Sequence, residues 1–211
     1  MENIRIKFSK TGNVKYISHL DLNRFFQRAF KRSGVPIWVT EGFNPHIYLN
    51  FLLPLSLGTE SVAEYVDCKF TTYIPYDEAR EKLNSVMPEG FKIESVAQPL
   101  EKAEKIAYCR YILEFPENSR EQIKAFFENE KIEVVKKTKR KEYTVDLKRE
   151  IKEYTLSKDG EVKLELILPA GEGRTINPEL LIKAFSAFLG EEVFARIKRT
   201  AVLNENLEDF K

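Results

Sequence analysis

IRIKF, residues Ile4 to Phe8, alternates apolar and polar side chains as a half-buried strand does, and the succession of patterns that it opens occurs twice. After it come a helical stretch, the strand-like runs VPIWVT, HIYLNF and EYVDCKF, the helical PYDEAREKLNSVM and the strand-like FKIESVA. From Tyr108 the order returns: YCRYILEF as strand, SREQIKAFFEN as helix, IEVVKKT and VKLELILP as strands, PELLIKAFSAFLG as helix and RIKRTAVL as strand. Gly and Pro mark the turns. The recurrence is one of element order, since no residue-by-residue repeat accompanies it. It predicts an α+β chain of two tandem ferredoxin-like (βαββαβ) halves with antiparallel sheets, residues 1–103 and 104–211, joined near Gln98 to Ala107.

The chain has 211 residues, 43% of them hydrophobic, enough for one large core or two small ones. Thirty-four Lys and Arg against thirty-three Asp and Glu leave a net charge of +1, which excludes a globally basic nucleic-acid coat protein but not a local patch. No apolar run approaches the ~18 residues of a membrane span, and no signal-peptide pattern opens the chain. A cytoplasmic protein without membrane contact is expected. Cys68 and Cys109 each sit in a strand-like run, so buried free thiols are expected rather than a disulfide.

YISHLDLNRFFQRAFKRSG, Tyr16 to Gly34, is the most specified helix. Ser18 is placed to cap it, with Asp21 three residues on in the manner of a capping box. Leu22, Phe25, Phe26, Ala29 and Phe30 form one apolar stripe, and Gly34 ends the helix. Arg24, Arg28 and Lys31 fall on the opposite side, with Arg32 at its edge. Charges opposite an apolar stripe are ordinarily a solvated face. The alternative is a face that tracks phosphates, because no acid is evident there to pair with them. His19 follows the cap, where it either fills a seam between helix and sheet or serves as a general base, with Asp21 orienting it. His46, in EGFNPH, is the only other histidine. A metal site built from the two histidines and Asp21 lacks the ligand spacing such sites use, so no metal is expected.

Two further stretches stand out. Lys131 to Lys152 carries nine basic residues against four acids, centred on Lys136, Lys137, Lys139, Arg140 and Lys141. It reads as a charged edge that blocks aggregation, or as a backbone-binding flap with Tyr143 stacking on a base. GEGRTINPELL, Gly171 to Leu181, reads as a loop into a capped helix, or as an anion cradle formed by Arg174, Thr175 and Asn177. Its glycines match neither the P-loop nor the dinucleotide fingerprint.

Lys10 to Phe70 also resembles a known family. The elements are S-H-L-D at Ser18, R-x-x-x-x-x-G-V-P at Arg28, E-G-F-N-P-H at Glu41, P-L-x-L-G at Pro54 and E-Y-x-D at Glu64. Weaker likeness continues through YTVDLKREI, INPELL and RIKRTAVL. The chain resembles the radical-SAM-linked family, a domain of unknown function fused to radical SAM proteins or encoded beside them. The resemblance implies a radical SAM protein as partner and, from the family's association with ribosome- and RNA-processing genes, tRNA or rRNA as the target. With only two cysteines, far apart, the chain cannot supply the three-cysteine cluster motif itself, and no cofactor is expected. Three functions follow: an RNA-binding module that presents substrate to the radical SAM partner, which is favoured; a protein-docking scaffold for that partner; and an enzyme using His19, Asp21 and His46, which lacks a complete catalytic constellation.

Overall fold

The computed structural model describes residues 1–137 and 142–211, with only the backbone at Lys137. The chain is α+β and divides into two compact units. Met1–Ala103 with Phe210–Lys211 form one, and Glu104–Asp209 the other.

The first unit runs β1 (Glu2–Lys10), α1 (His19–Ser33), β2 (Asn50–Phe51), β3 (Glu60–Phe70), α2 (Tyr76–Asn84) and β4 (Phe91–Ala97). Its strands lie in the order β4, β1, β3, β2 and pair antiparallel. The core forms where α1 and α2 cover one face of this sheet. Leu22, Phe26 and Phe30 of α1 and Ala79 and Leu83 of α2 cluster with Ile4, Ile6, Phe8, Val66, Cys68, Phe70 and Ile93. Ser18 caps α1 by accepting from the Asp21 amide at 3.1 Å, and Gly34 closes it with a left-handed φ of 70°.

β1 departs from the half-buried strand that its alternation predicts. Ile4, Arg5 and Ile6 are all buried, as are Phe8, Ser9 and Lys10, and the pairing shifts on both sides of Phe8. The charged residues are buried with more than one hydrogen-bond partner each. Arg5 grips Asp67 of β3 through two parallel bonds of 2.8 and 2.9 Å, and its Nη1 donates to the carbonyls of Glu101 and Lys211. Its guanidinium also lies 4.5 Å from the centre of the Phe210 ring. The Lys10 ammonium donates to the carbonyls of Ile17, at 2.8 Å, and Lys15, at 3.3 Å, holding the lead-in to α1.

The second unit runs β5 (Tyr108–Phe115), α3 (Arg120–Glu128), β6 (Glu133–Lys137), β7 (Glu142–Asp146), α4 (Leu147–Glu150), β8 (Glu153–Leu156), β9 (Val162–Pro169), α5 (Glu179–Leu189) and β10 (Arg196–Leu203). Its main strands lie in the order β10, β5, β9, β8, again antiparallel. Phe126 of α3 and Phe185 of α5 meet at 5.3 Å, and Phe185 meets Phe115 of β5 at 5.6 Å.

The middle of each unit differs from the sequence expectation. VPIWVT makes only isolated bridges, Ile37 to Phe70 and Val39 to Ile47, and of HIYLNF only the last two residues form a strand, β2. β6, the described strand of IEVVKKT, pairs with β7 rather than joining the main sheet. The strand that takes its place, β8, is EYTL, whose first three residues are exposed and so carry no apolar alternation to read. Both cysteines are buried free thiols. Among the described residues no helix is long and apolar enough to cross a membrane.

Arg5→Met strands the Asp67 carboxylate, and breaking a buried pair in this way costs about 3–5 kcal/mol. Trp38, the only tryptophan, sits in the same unit, so its fluorescence in a urea titration reads the loss. Arg5→Met combined with Asp67→Leu should recover much of it, and a single-variant loss well under 1 kcal/mol would deny Arg5 its place in the core.

Burial holds the Lys10 amine below its usual 10.5, only partly countered by Glu64. Between the folded value and 10.5 the unfolded chain therefore binds more protons, so this group's contribution to stability rises with pH across that window. Lys10→Met should remove that rise. Denaturation midpoints of both proteins from neutral pH to 10.5 provide the check, and parallel curves would show that the amine is not depressed.

Candidate nucleic-acid interface

Arg24, Arg28 and Lys31 stand at i, i+4 and i+7 on α1 and so share one line along its exposed face. Phe25 and Arg32 lie on one flank of this ridge. There Phe25 stacks on Phe91 at 4.7 Å and 13°, beside the turn that joins α2 to β4. A groove of about 780 Å³ opens along this flank, lined by Phe25, Arg28, Lys31, Arg32 and Ser85 to Pro88. Its chemistry is mixed: cations along the rim, with Phe25, Val86, Met87 and Pro88 supplying apolar surface.

The groove depends on how closely the turn approaches the segment before α1. Thr11 N–H donates to Gly90 O at 2.8 Å, and a Cβ on Gly90 would come within 2.6 Å of Thr11 O and 2.8 Å of the Val14 side chain. Only glycine fits there, at a φ of 92°. Arg32 Nη2 then donates to Val86 O at 3.0 Å, tying the end of α1 to the same turn.

The cations differ in how free they are. Arg24 pairs with Asp21 at 3.4 Å, so the basic face does hold one acid, contrary to the sequence reading. Both groups are more than half exposed, and such pairs contribute little. Among the described residues Arg28 and Lys31 have no carboxylate within ion-pairing distance, whereas Lys15, Arg80, Lys82 and Lys124 each do.

The other flank of α1 holds the EGFNPH loop. The Gln27 amide accepts from Ile47 N at 3.1 Å and donates to Ile47 O at 2.8 Å. Thr40 N–H donates to His46 O and His46 N–H to Thr40 Oγ1, closing residues 40–46 into a ring. The His46 Nδ1 lies 2.9 Å from Asn44 O and 3.1 Å from Thr40 Oγ1. The carbonyl can only accept, so a neutral ring that uses this shorter contact carries its proton on Nδ1 and leaves Nε2 as an acceptor. Phe43, at the tip, is wholly exposed.

His19 is exposed, and its ring meets the edge of Phe51 at 5.4 Å, the contact of a histidine at the seam of helix and sheet. The Asp21 carboxylate takes its hydrogen bonds from Ser18, at 2.7 Å, and Arg24, rather than orienting His19. The Ser18 hydroxyl holds that carboxyl below its usual range. His46 precedes the residue clamped at Gln27, two helical turns along α1 from His19, or ~12 Å of rise. Among the described residues no group of three His, Cys, Asp or Glu side chains gathers to hold a metal.

In the second unit the two remaining stretches meet. Lys136 Nζ donates to Thr175 O at 2.8 Å and lies 5.9 Å from the Tyr143 ring centre, so this lysine is already engaged. Tyr143 is 42% exposed. Lys139, Arg140 and Lys141 lie outside the described residues, as does the side chain of Lys137. The anion cradle is filled by the chain itself. The Thr175 hydroxyl donates to Gly171 O, and Asn177 Oδ1 accepts from Glu179 N at 3.0 Å. The next two amides, of Leu180 and Leu181, donate to Asn177 O and Pro178 O. Of the proposed cradle, only the exposed Arg174 is left uncommitted among the described residues.

The sequence reading missed Phe25, Met87 and Pro88 as surface. Phe25 falls on the predicted apolar stripe, and only the near-parallel stack on Phe91 shows that it sits at the margin of the core.

No curated protein matches the chain. Residues 3–178 match the family described as "Uncharacterized protein conserved in bacteria (DUF2344)". That span runs from β1 to the segment just before α5, so it includes α1, the groove and the EGFNPH loop, and the chain belongs to the DUF2344 family.

Proposed function

We propose that this protein is an RNA-binding module that holds tRNA or rRNA on the ridge and groove of α1 and presents it to a radical SAM enzyme in the cytoplasm. The observation that carries the reading is the groove of about 780 Å³. Three cations of one helix, Arg28, Lys31 and Arg32, border apolar surface there, and among the described residues Arg28 and Lys31 have no carboxylate partner while Arg32 is held by the Val86 carbonyl. Phosphates suit the rim, and a base suits the floor. The radical SAM partner is drawn from the resemblance at Ser18 to Asp21, Glu41 to His46 and Pro54 to Gly58. That partner would supply the cluster, and this chain the substrate-holding surface. The strand orders β4, β1, β3, β2 and β10, β5, β9, β8 fit two tandem ferredoxin-like halves, a scaffold that serves many functions and so leaves the site to decide among them.

Binding to bulk tRNA and to rRNA fragments over a salt series tests the reading. The logarithm of affinity should fall with the logarithm of salt by about 0.7–0.9 per phosphate contact. Replacing Arg24, Arg28 and Lys31 with Gln should lower both the affinity and that slope. If the wild-type protein does not bind at low salt, the RNA reading fails, and the ridge becomes a surface for docking the partner enzyme.

A further inference from the structure

We infer that the nucleic acid suited to this surface is single-stranded RNA lying across α1, with bases unstacked on both sides of the helix and Phe43 as a stacking finger. The inference rests on the RNA-binding reading and deepens it. A duplex keeps its bases stacked inside and offers a protein its phosphates and grooves, so aromatic surface contributes little to holding it. A single strand exposes base faces, which stack on aromatic side chains without regard to sequence.

The layout around α1 matches the second case. The ridge of Arg24, Arg28 and Lys31 provides a line of positive charge. On one flank the groove offers Phe25 and Met87 as apolar surface. On the other flank the loop clamped to Gln27 carries Phe43 at its tip, wholly exposed and contributing nothing to the core. A large apolar ring held fully in water is costly to solvate. The Thr40 to His46 ring of hydrogen bonds and the Gln27 clamp on Ile47 hold its loop to the helix that bears the cations. Beside it, the His46 Nε2 is an exposed acceptor able to take the proton of a ribose 2′-hydroxyl, the group that distinguishes RNA from DNA. The Trp38–Tyr48 pair is already occupied, because Lys69 Nζ lies 5.1 Å from the Trp38 ring centre and 5.6 Å from that of Tyr48.

The test uses the full chain and one oligoribonucleotide of mixed sequence, offered single-stranded and annealed to its complement at the same low salt. The single strand should bind at least tenfold more tightly than the duplex. Phe43→Ala, which removes no contact of the folded protein, should weaken the single strand by roughly tenfold and leave the duplex unchanged. Equal binding of the two forms overturns the inference while the RNA-binding reading stands. So does a Phe43→Ala variant that binds the single strand as the wild type does, and Phe43 is then a finger for a protein partner. Absence of binding by both forms defeats the RNA-binding reading itself.

Discussion

The guanidinium of Arg5 ties together distant parts of the first unit. It is 5% exposed, so folding removes it from water, and that penalty is offset only because its hydrogen bonds and the Phe210 ring replace the lost solvent. Its two bonds to Asp67 link β1 to β3, and its bonds to Glu101 and Lys211 bring in the segment after β4 and the end of the chain. Tyr65 secures the same end by donating to Phe210 O. β1 is thereby held on one face by a polar hub and on the other by the apolar core beneath α1.

A rigid β1 fixes what stands on it. Phe8 meets Phe26 at 4.8 Å, Phe26 meets Phe25 edge-on, and Phe25 stacks on Phe91, so an aromatic chain runs from the centre of the sheet to the margin of the groove. Lys10 sets the lead-in to α1 from below, and Gly90 lets the turn after α2 close against it. The surface that bears the cations is therefore built on packed elements rather than on a loop, which is what precise recognition requires.

The legible parts of this chain were those whose signal is local. α1 could be read from its cap, its stripe and its terminal glycine because each is a nearest-neighbour feature. The five-residue alternation of IRIKF marked a strand but could not show that Arg5 would be buried, since its partners lie 62, 96 and 206 positions away. EYTL was invisible as a strand because edge strands need little apolar content, while β6, from the more strand-like IEVVKKT, pairs with β7 apart from the main sheet. Among the site residues, spacing alone set Arg24, Arg28 and Lys31 in line. It could not show that Asp21 would turn to Arg24 and Ser18, that Lys136 would be spent on Thr175, or that Asn177 would consume the amides it was expected to leave for an anion.

The Gln27 clamp has a consequence for kinetics. A loop that orders only when its ligand arrives adds a conformational step to association and loses affinity to the entropy of that ordering. Residues 40–46 are already closed on themselves and fastened to α1, so folding has met that cost in advance. A ligand that fitted this loop as it stands would need no rearrangement of it, which would leave encounter to govern how fast the two come together.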